Sequence, residues 1–385
     1  MSIQNIVKEI KADTDELLDS SFLTKSKIFS ESVSDIDEVS LYDINGLQPA
    51  TIKNVDFNIV DEKSLDSLKH GIKVPQRSIE EELSEISSAA VDGSRAKFIR
   101  TCLTLLVSTS ASASFMQRKT WSEPLSEITD FRTAYIIANH DCISSSFPQD
   151  KKTKILSFNK AKGYELSINA HLNKLEAESE FASINRLLSD FPHELDLLLI
   201  DGPLYRIGYT MDDLKKSVEI MNGASEKGIT PVAIVKRPTT AIYKDYVCQQ
   251  LDRPNWYWAS DVAFLESILS SGSRTPFFTV VNRGVETNIL EEKNYRLCCY
   301  LKIPSERIVR IELPFEFFDI REDIINTILA MSRYNSGRLP IPQARAHNAC
   351  KIDFKKQRII ESTFDNQLKM KNIPITHLFD GVDLK

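Results

Sequence analysis

Two apolar runs in this chain each stop abruptly at an Asp-Gly pair. Ala89-Ala90-Val91 leads into Asp92-Gly93, and Leu197-Leu198-Leu199-Ile200 leads into Asp201-Gly202. A continuous apolar run reads as a strand buried on both faces, and the Gly behind it as a turn. The pattern predicts strands at 87–92 and up to 201, each ending in a carboxylate where the strand surfaces. Further strand-like runs cover 102–116 and 131–139. In the first of these, Leu103-Thr104-Leu105-Leu106-Val107 gives way to a Ser/Ala alternation through Phe115, and that period of two favours a strand over a linker. Helical spacing follows at 165–189 and 211–227, then a strand at 231–235 closed by Lys236. Helices are expected at 240–250, 261–271, 321–335 and 356–370, and strands at 276–282, 296–302 and 307–313.

Residues 1–85 have a different texture, polar, acidic and poor in long apolar runs. Helical periodicity runs from Ile6 to Leu18, and Ser78 followed by Glu80, Glu81 and Glu82 reads as an N-cap with acids in the first turn. The expectation is an N-terminal, partly helical appendage (1–85) for dimer or partner contacts, ahead of one main domain (86–385). The class is α/β, with a mixed central sheet flanked by helices.

Composition narrows the function. Of 385 residues 42% are hydrophobic, enough for a real core. No apolar stretch approaches the roughly 20 residues that span a bilayer, and no basic-then-apolar leader opens the chain. The six cysteines include no CxxC pair, so neither a zinc site nor a disulfide framework is indicated, and a reduced, cytoplasmic setting fits. A net charge of -6 argues against coating nucleic acid by bulk charge but is compatible with an acidic metal site. There is no GxxxxGK[ST], no GxGxxG after a strand and no GxSxG. Asp92-Gly93-Ser94 lacks a second Asp two residues on, which weakens an aspartyl-phosphate phosphatase reading.

What remains is carboxylate and metal chemistry. Two carboxylates at neighbouring strand ends can converge on a divalent metal pair, an arrangement suited to phosphodiester hydrolysis. Taken singly, each Asp-Gly would as readily start a turn or cap a helix. Glu176, Glu178 and Glu180 lie on the helix before the second strand; Glu180 is the expected third ligand, because Phe181, Ile184 and Leu188 form the buried stripe beside it. Lys236 ends its strand as Asp201 ends its own, and could balance the site or hold a phosphate. Arg95, three residues after Asp92, could do the same. In Pro340-Ile341-Pro342-Gln343-Ala344-Arg345-Ala346-His347 the prolines predict a rigid extended entry into a helix beginning near Ala344. His347 in its first turn could move protons, bind phosphate or contact metal.

The order of these pieces resembles the NurA nuclease family. The matching segments are Val91-Asp92-Gly93-Ser94, Leu199-Ile200-Asp201-Gly202-Pro203-Leu204, Val232-Ala233-Ile234-Val235-Lys236, Ser260-Asp261, Gly272-Ser273-Arg274-Thr275 and the closing Pro340 to His347. The resemblance covers 86–352. It implies an RNase H-like core, Mn2+- or Mg2+-dependent cleavage of DNA, a homodimer, and a HerA-type hexameric ATPase as partner, in DNA end repair or antiviral defence. It also implies that Asp92 and Asp201 bind metal, that a helix acid within 176–180 joins them, and that His347 is the family's C-terminal histidine. One departure is visible: the family often has Tyr-Pro before the last helix, where this chain has Leu339-Pro340, with Tyr334 nearby but unaligned. Two competing readings are a catalytically silent adaptor on a DNA-translocating ATPase and a metal phosphatase for small substrates.

Overall fold

The computed structural model describes residues 3–19, 55–61, 64–75, 77–83, 86–100, 103–116, 126–137, 153–157, 164–190, 195–205, 211–251, 259–282 and 286–370. In chain order the elements are α1 (Ile3–Asp19), β1 (Val55–Ile59), α2 (Leu65–His70), β2 (Ile72–Lys73), α3 (Ile79–Leu83), β3 (Ser87–Ile99), β4 (Leu103–Met116), β5 (Ser126–Ile137) and β6 (Thr153–Ser157). Then follow α4 (Tyr164–Asp190), β7 (Leu197–Asp201), α5 (Met211–Ser225), β8 (Thr230–Val235), α6 (Ile242–Gln250), α7 (Asp261–Glu266), β9 (Ser273–Arg274) and β10 (Phe278–Asn282). The chain continues through β11 (Arg296–Lys302), β12 (Ile308–Pro314), α8 (Arg321–Tyr334), α9 (Ile341–Cys350) and α10 (Phe354–Met370).

The strands form one mixed sheet in the order β1-β10-β11-β12-β8-β7-β3-β4-β5-β6, with β9 pairing β11 and β2. Toward the β6 edge β3, β4 and β5 form an antiparallel meander, and β7 and β8 add parallel to β3. This is the RNase H-like arrangement expected of the chain.

Successive strand residues face opposite sides of a sheet. Ala90, Leu199 and Ile234 therefore bury against α8 and α9, together with Ile325, Ile328 and Ala346. Val91, Leu198, Ile200 and Ala233 face the other way, onto Ile184 and Leu188 of α4 and Leu214 and Met221 of α5. The serines of β4 suit a close helix approach: Ser110 donates to the Ser179 carbonyl at 2.8 Å and bonds the Ser183 hydroxyl at 2.5 Å, both on α4.

The first Asp-Gly is not a strand end. β3 runs on for 13 residues, paired with β4 from Ser87↔Met116 to Ile99↔Thr104. What ends near Asp92 is the partnership with β7, whose last rung is Val91↔Ile200. The second Asp-Gly behaves as expected, since β7 stops at Asp201 and Gly202 turns away with φ +103°. The two carboxylates thus stand where neighbouring strands part.

Nor does the sheet break at residue 86. β1 pairs antiparallel with β10, β2 pairs with β9, and Leu83 of α3 is buried in the core beneath α8. The Ser78 cap forms as read: Glu81 N donates to Ser78 Oγ at 3.1 Å and Ser78 N to Glu81 Oε2 at 3.3 Å. Helix α1 packs on α10 and buries Ile6 and Ile10. The described parts of the expected appendage are thus built into the domain, and 20–54 lie outside the described residues. The helix expected at 261–271 is shorter, ending at Glu266.

Candidate metal centre

Strand alternation sends Asp92 to the α9 face with Ala90, and Asp201 to the same face with Leu199. Asp92 is only 2% exposed. Its Oδ1 accepts from Gly93 N at 2.8 Å. Its Oδ2 accepts from Lys236 Nζ at 3.2 Å and faces His347 Nδ1 at 2.8 Å. Lys236 Nζ also donates to Asp201 Oδ2 at 2.5 Å, so one ammonium bridges both carboxylates. One ligand atom each from Asp92, Asp201 and His347 lies within 4.8 Å of the others.

The electrostatics divide the two acids. Burial and the neighbouring Asp92 charge push Asp201 up to about 7, against a smaller downward pull from Lys236. Burial works against the Asp92 anion as well, but hydrogen bonds from His347 and Asp201 and the Lys236 charge outweigh it and hold Asp92 below its ordinary value. Lys236 is raised: burial disfavours its charge, and the two carboxylates more than restore it. Because Asp92 stays an anion and can only accept, the His347 hydrogen sits on Nδ1 and Nε2 is left as the basic nitrogen.

Helix α9 begins at Ile341, three residues earlier than the prolines suggested. Pro342 sits inside its first turn, where the missing N–H removes no helical bond. His347 consequently lies in the last turn of α9, with Gln343 one turn earlier on the same face. Gln343 Nε2 donates to Asp201 Oδ1 at 3.3 Å. Nothing in the sequence had marked Gln343. Thr109 Oγ1 donates to the Cys350 carbonyl at 2.7 Å and Ile352 N to Ser94 Oγ at 3.0 Å, which ties the end of α9 to β3 and β4.

The helix acids are sorted by their partners. Glu176 pairs with Arg95 at 2.9 Å and Glu178 with Arg132 at 3.4 Å. Arg95 therefore serves α4 rather than the strand-end aspartates. Glu180 is buried at 5% exposure, beside the backbone of Gly93 on the α4 face. It is not a member of the 4.8 Å cluster, in which His347 takes the third place expected for Glu180. Gly93 owes its lack of a side chain to this neighbour: a Cβ there would stand 2.5 Å from Glu180 Oε1 and 2.9 Å from Glu176 Cγ. Gly93→Ala should therefore displace Glu180 while leaving β3 paired. If Glu180 serves the site, this variant loses activity in parallel with Glu180→Gln at near wild-type melting temperature; unchanged activity in both places Glu180 outside the chemistry.

A second feature absent from the sequence reading braces Asp201 from behind. Leu204 N, three residues on, donates to Glu312 Oε2 at 2.9 Å. Glu312 is fully buried and gripped by Arg310 through Nε and Nη2, at 2.7 and 2.6 Å. The Leu339 side chain packs against the core, and Tyr334 stacks edge-on with Phe115 at 6.1 Å.

The NurA domain signature matches residues 87–352, well over half of the chain. The chain belongs to the NurA family. No curated protein matches it. Among solved structures, the NurA nuclease from Sulfolobus solfataricus is 12% identical, with 80% of this chain and 90% of that one covered at a TM-score of 0.50. A NurA structure with manganese is 11% identical over 80% and 93% of the two chains, TM-score 0.39. Endonuclease V from Bacillus subtilis is 12% identical over 78% and 90%, TM-score 0.30. At these identities the first likeness speaks to the fold alone. No described helix is long and apolar enough to cross a membrane.

Proposed function

We propose that this NurA-family chain is a divalent-metal-dependent DNA nuclease that hydrolyses phosphodiester bonds, working as a homodimer with a HerA-type hexameric ATPase in DNA end processing, for repair or antiviral defence. The observation that carries the reading is the meeting of a buried carboxylate, a part-buried carboxylate and an imidazole within 4.8 Å at the mouth between β3 and β7. A scaffold has no use for an arrangement that pushes one acid up to about 7. The ATPase partnership and the dimer rest on family membership alone.

The donor set fits a hard divalent cation. Two carboxylates and one imidazole suit Mn2+ or Mg2+. The nearby Cys350 thiol is driven upward by burial and by the Asp92 and Glu180 charges, so no thiolate competes for a softer metal. Asp92, Asp201 and His347 would hold the ion. A bound cation supplies Lewis acidity toward the scissile phosphate and a water of lowered pKa. The chain's own groups do the rest. Asp92 fixes the His347 tautomer, and the ring, about half exposed, leaves Nε2 as its one lone-pair atom, to face the cation or, where the cation is held by the carboxylates alone, to accept a proton. Lys236, mostly buried against both acids, offsets negative charge that builds on the phosphate.

The first test is incubation with linear and closed-circular DNA in Mn2+, Mg2+ or EDTA. Metal-dependent loss of DNA is expected. No cleavage with or without the ATPase would make the chain an adaptor; turnover of chromogenic phosphomonoesters but not DNA would make it a phosphatase.

The Asp201 shift also predicts a pH dependence. To hold a cation Asp201 must lose a proton that it keeps up to about 7. Mn2+ affinity should therefore fall by roughly tenfold per pH unit below about 7 and level off above it. For folding without metal the sign is opposite. A carboxyl raised in the folded state contributes stability below its unfolded value near 3.8, and that contribution is lost as pH rises through about 7. Calorimetric Mn2+ titrations between about pH 5.5 and 8.5 read the first effect; a flat profile rejects the assignment.

A further inference from the structure

We infer that Gln343 is a positioning residue of the metal centre, holding the Asp201 carboxylate with its amide nitrogen and presenting its amide oxygen to the bound cation's water shell. This inference rests on the metal-site reading above and assigns a residue that neither the strand-end pattern nor the three-ligand cluster contains.

The geometry has three parts. Gln343 is fully buried, on the α9 face that also carries His347 one turn later. Its Nε2 donates to Asp201 Oδ1 at 3.3 Å, while Lys236 takes the other oxygen, Oδ2. Both Asp201 oxygens are therefore restrained, and the carboxylate plane is set from two sides. The third part is Gln343 Oε1, buried and without a hydrogen-bond partner among the described residues.

A buried amide oxygen left unpaired costs stability, and native structures rarely keep one without a reason. Rotating the amide does not remove the problem. With Asp201 ionised, as a bound cation requires, it would set an oxygen against the carboxylate, two acceptors face to face, and leave the nitrogen unpaired instead. The orientation with nitrogen toward Asp201 is thus fixed by chemistry, and the acceptor beside it is fixed too. A water held by a divalent cation is a strong donor with little else to bond in a buried pocket. Groups that orient metal-bound carboxylates and waters from behind govern affinity without touching the metal.

Gln343→Leu and Gln343→Glu separate this role from a structural one. Mn2+ binding is followed by titration calorimetry and by the free-Mn2+ electron paramagnetic signal, with melting temperatures in EDTA recorded alongside. Gln343→Leu should weaken Mn2+ binding roughly tenfold, with a melting temperature in EDTA equal to or above wild type, since an unpaired polar group is removed. Gln343→Glu, which adds an anionic donor to the same place, should restore or tighten binding at pH about 8 while cleavage falls through loss of the amide contact. If wild type binds Mn2+ and both variants bind it as wild type does, the inference on Gln343 fails and the metal site stands. If wild type binds no Mn2+, the metal-site reading itself fails.

Discussion

Asp92→Ala should give a folded protein that lacks the DNA cleavage proposed above. Asp92 is the one residue that touches every other member of the cluster: it accepts from Lys236, orders His347 and shares the field that raises Asp201. Its loss removes a proposed metal ligand and frees the imidazole at once. The rate should fall by on the order of a thousandfold, the upper end for deletion of a single electrostatic group. The fold should survive, because Lys236 keeps Asp201 at 2.5 Å and the rest of β3 keeps its rungs with β4. A second consequence is less obvious. With Asp92 gone, Asp201 keeps burial but loses both the charge and the hydrogen bond of Asp92 as causes of its raised value, so its titration should move down from about 7. Cleavage assays in Mn2+, a thermal melt and carboxylate titration by NMR read the three effects. Wild-type cleavage by a folded Asp92→Ala protein would falsify the site assignment.

The site was legible where a chemical need wrote a local pattern. Asp201 was found because Leu197-Leu198-Leu199-Ile200 is buried on both faces and Gly202 must adopt a positive φ. The Ser-rich half of β4 was read as a strand by its period of two, and its serines turn out to receive α4. Asp92 was found for a partly mistaken reason. Gly93 looked like a turn residue, yet it continues β3 and is small because Glu180 lies against it. Sequence pattern shows that a glycine is present but not whether backbone freedom or a neighbour's bulk requires it.

Other features left no local trace. Val55-Asp56-Phe57-Asn58-Ile59 does alternate, and its buried ends match a strand, but the surrounding polar texture hid it. The start of α9 was misjudged because proline is compatible both with an extended entry and with a first helical turn. Buried ion pairs such as Arg274 with Asp61 and Glu322, or Arg296 with Glu286, join residues brought together only by the finished sheet. Gln343 belongs to the same class: its meaning depends on Asp201, 142 positions away.

Glu312 is the residue whose loss should cost the most stability. It sits on β12 in a fully buried position, with Arg310 and Arg296 as its charged neighbours and the Leu204 amide on its remaining oxygen. Burial alone would raise its carboxyl; the two guanidinium groups and the amide more than reverse this, so it stays below its ordinary value. Glu312→Ala strands Arg310 and the Leu204 N–H in the interior, and breaking one side of a buried pair costs about 3–5 kcal/mol. Glu312→Gln keeps an acceptor for Leu204 and should lose less, on the order of 1–3 kcal/mol. The sign with pH follows from the lowered value: the wild-type contribution is present above the unfolded value near 4.5 and disappears as pH falls through the folded one, whereas Glu312→Gln lacks that dependence. Urea unfolding at about pH 7 and about pH 4 separates the variants. Since Leu204 stands three residues after Asp201, the Gln variant should also retain Mn2+ binding better than Ala, linking the brace on β12 to the carboxylate it supports. Equal stability of Ala and wild type would mean that Arg310 finds water on its own and that the turn after Asp201 holds without the brace.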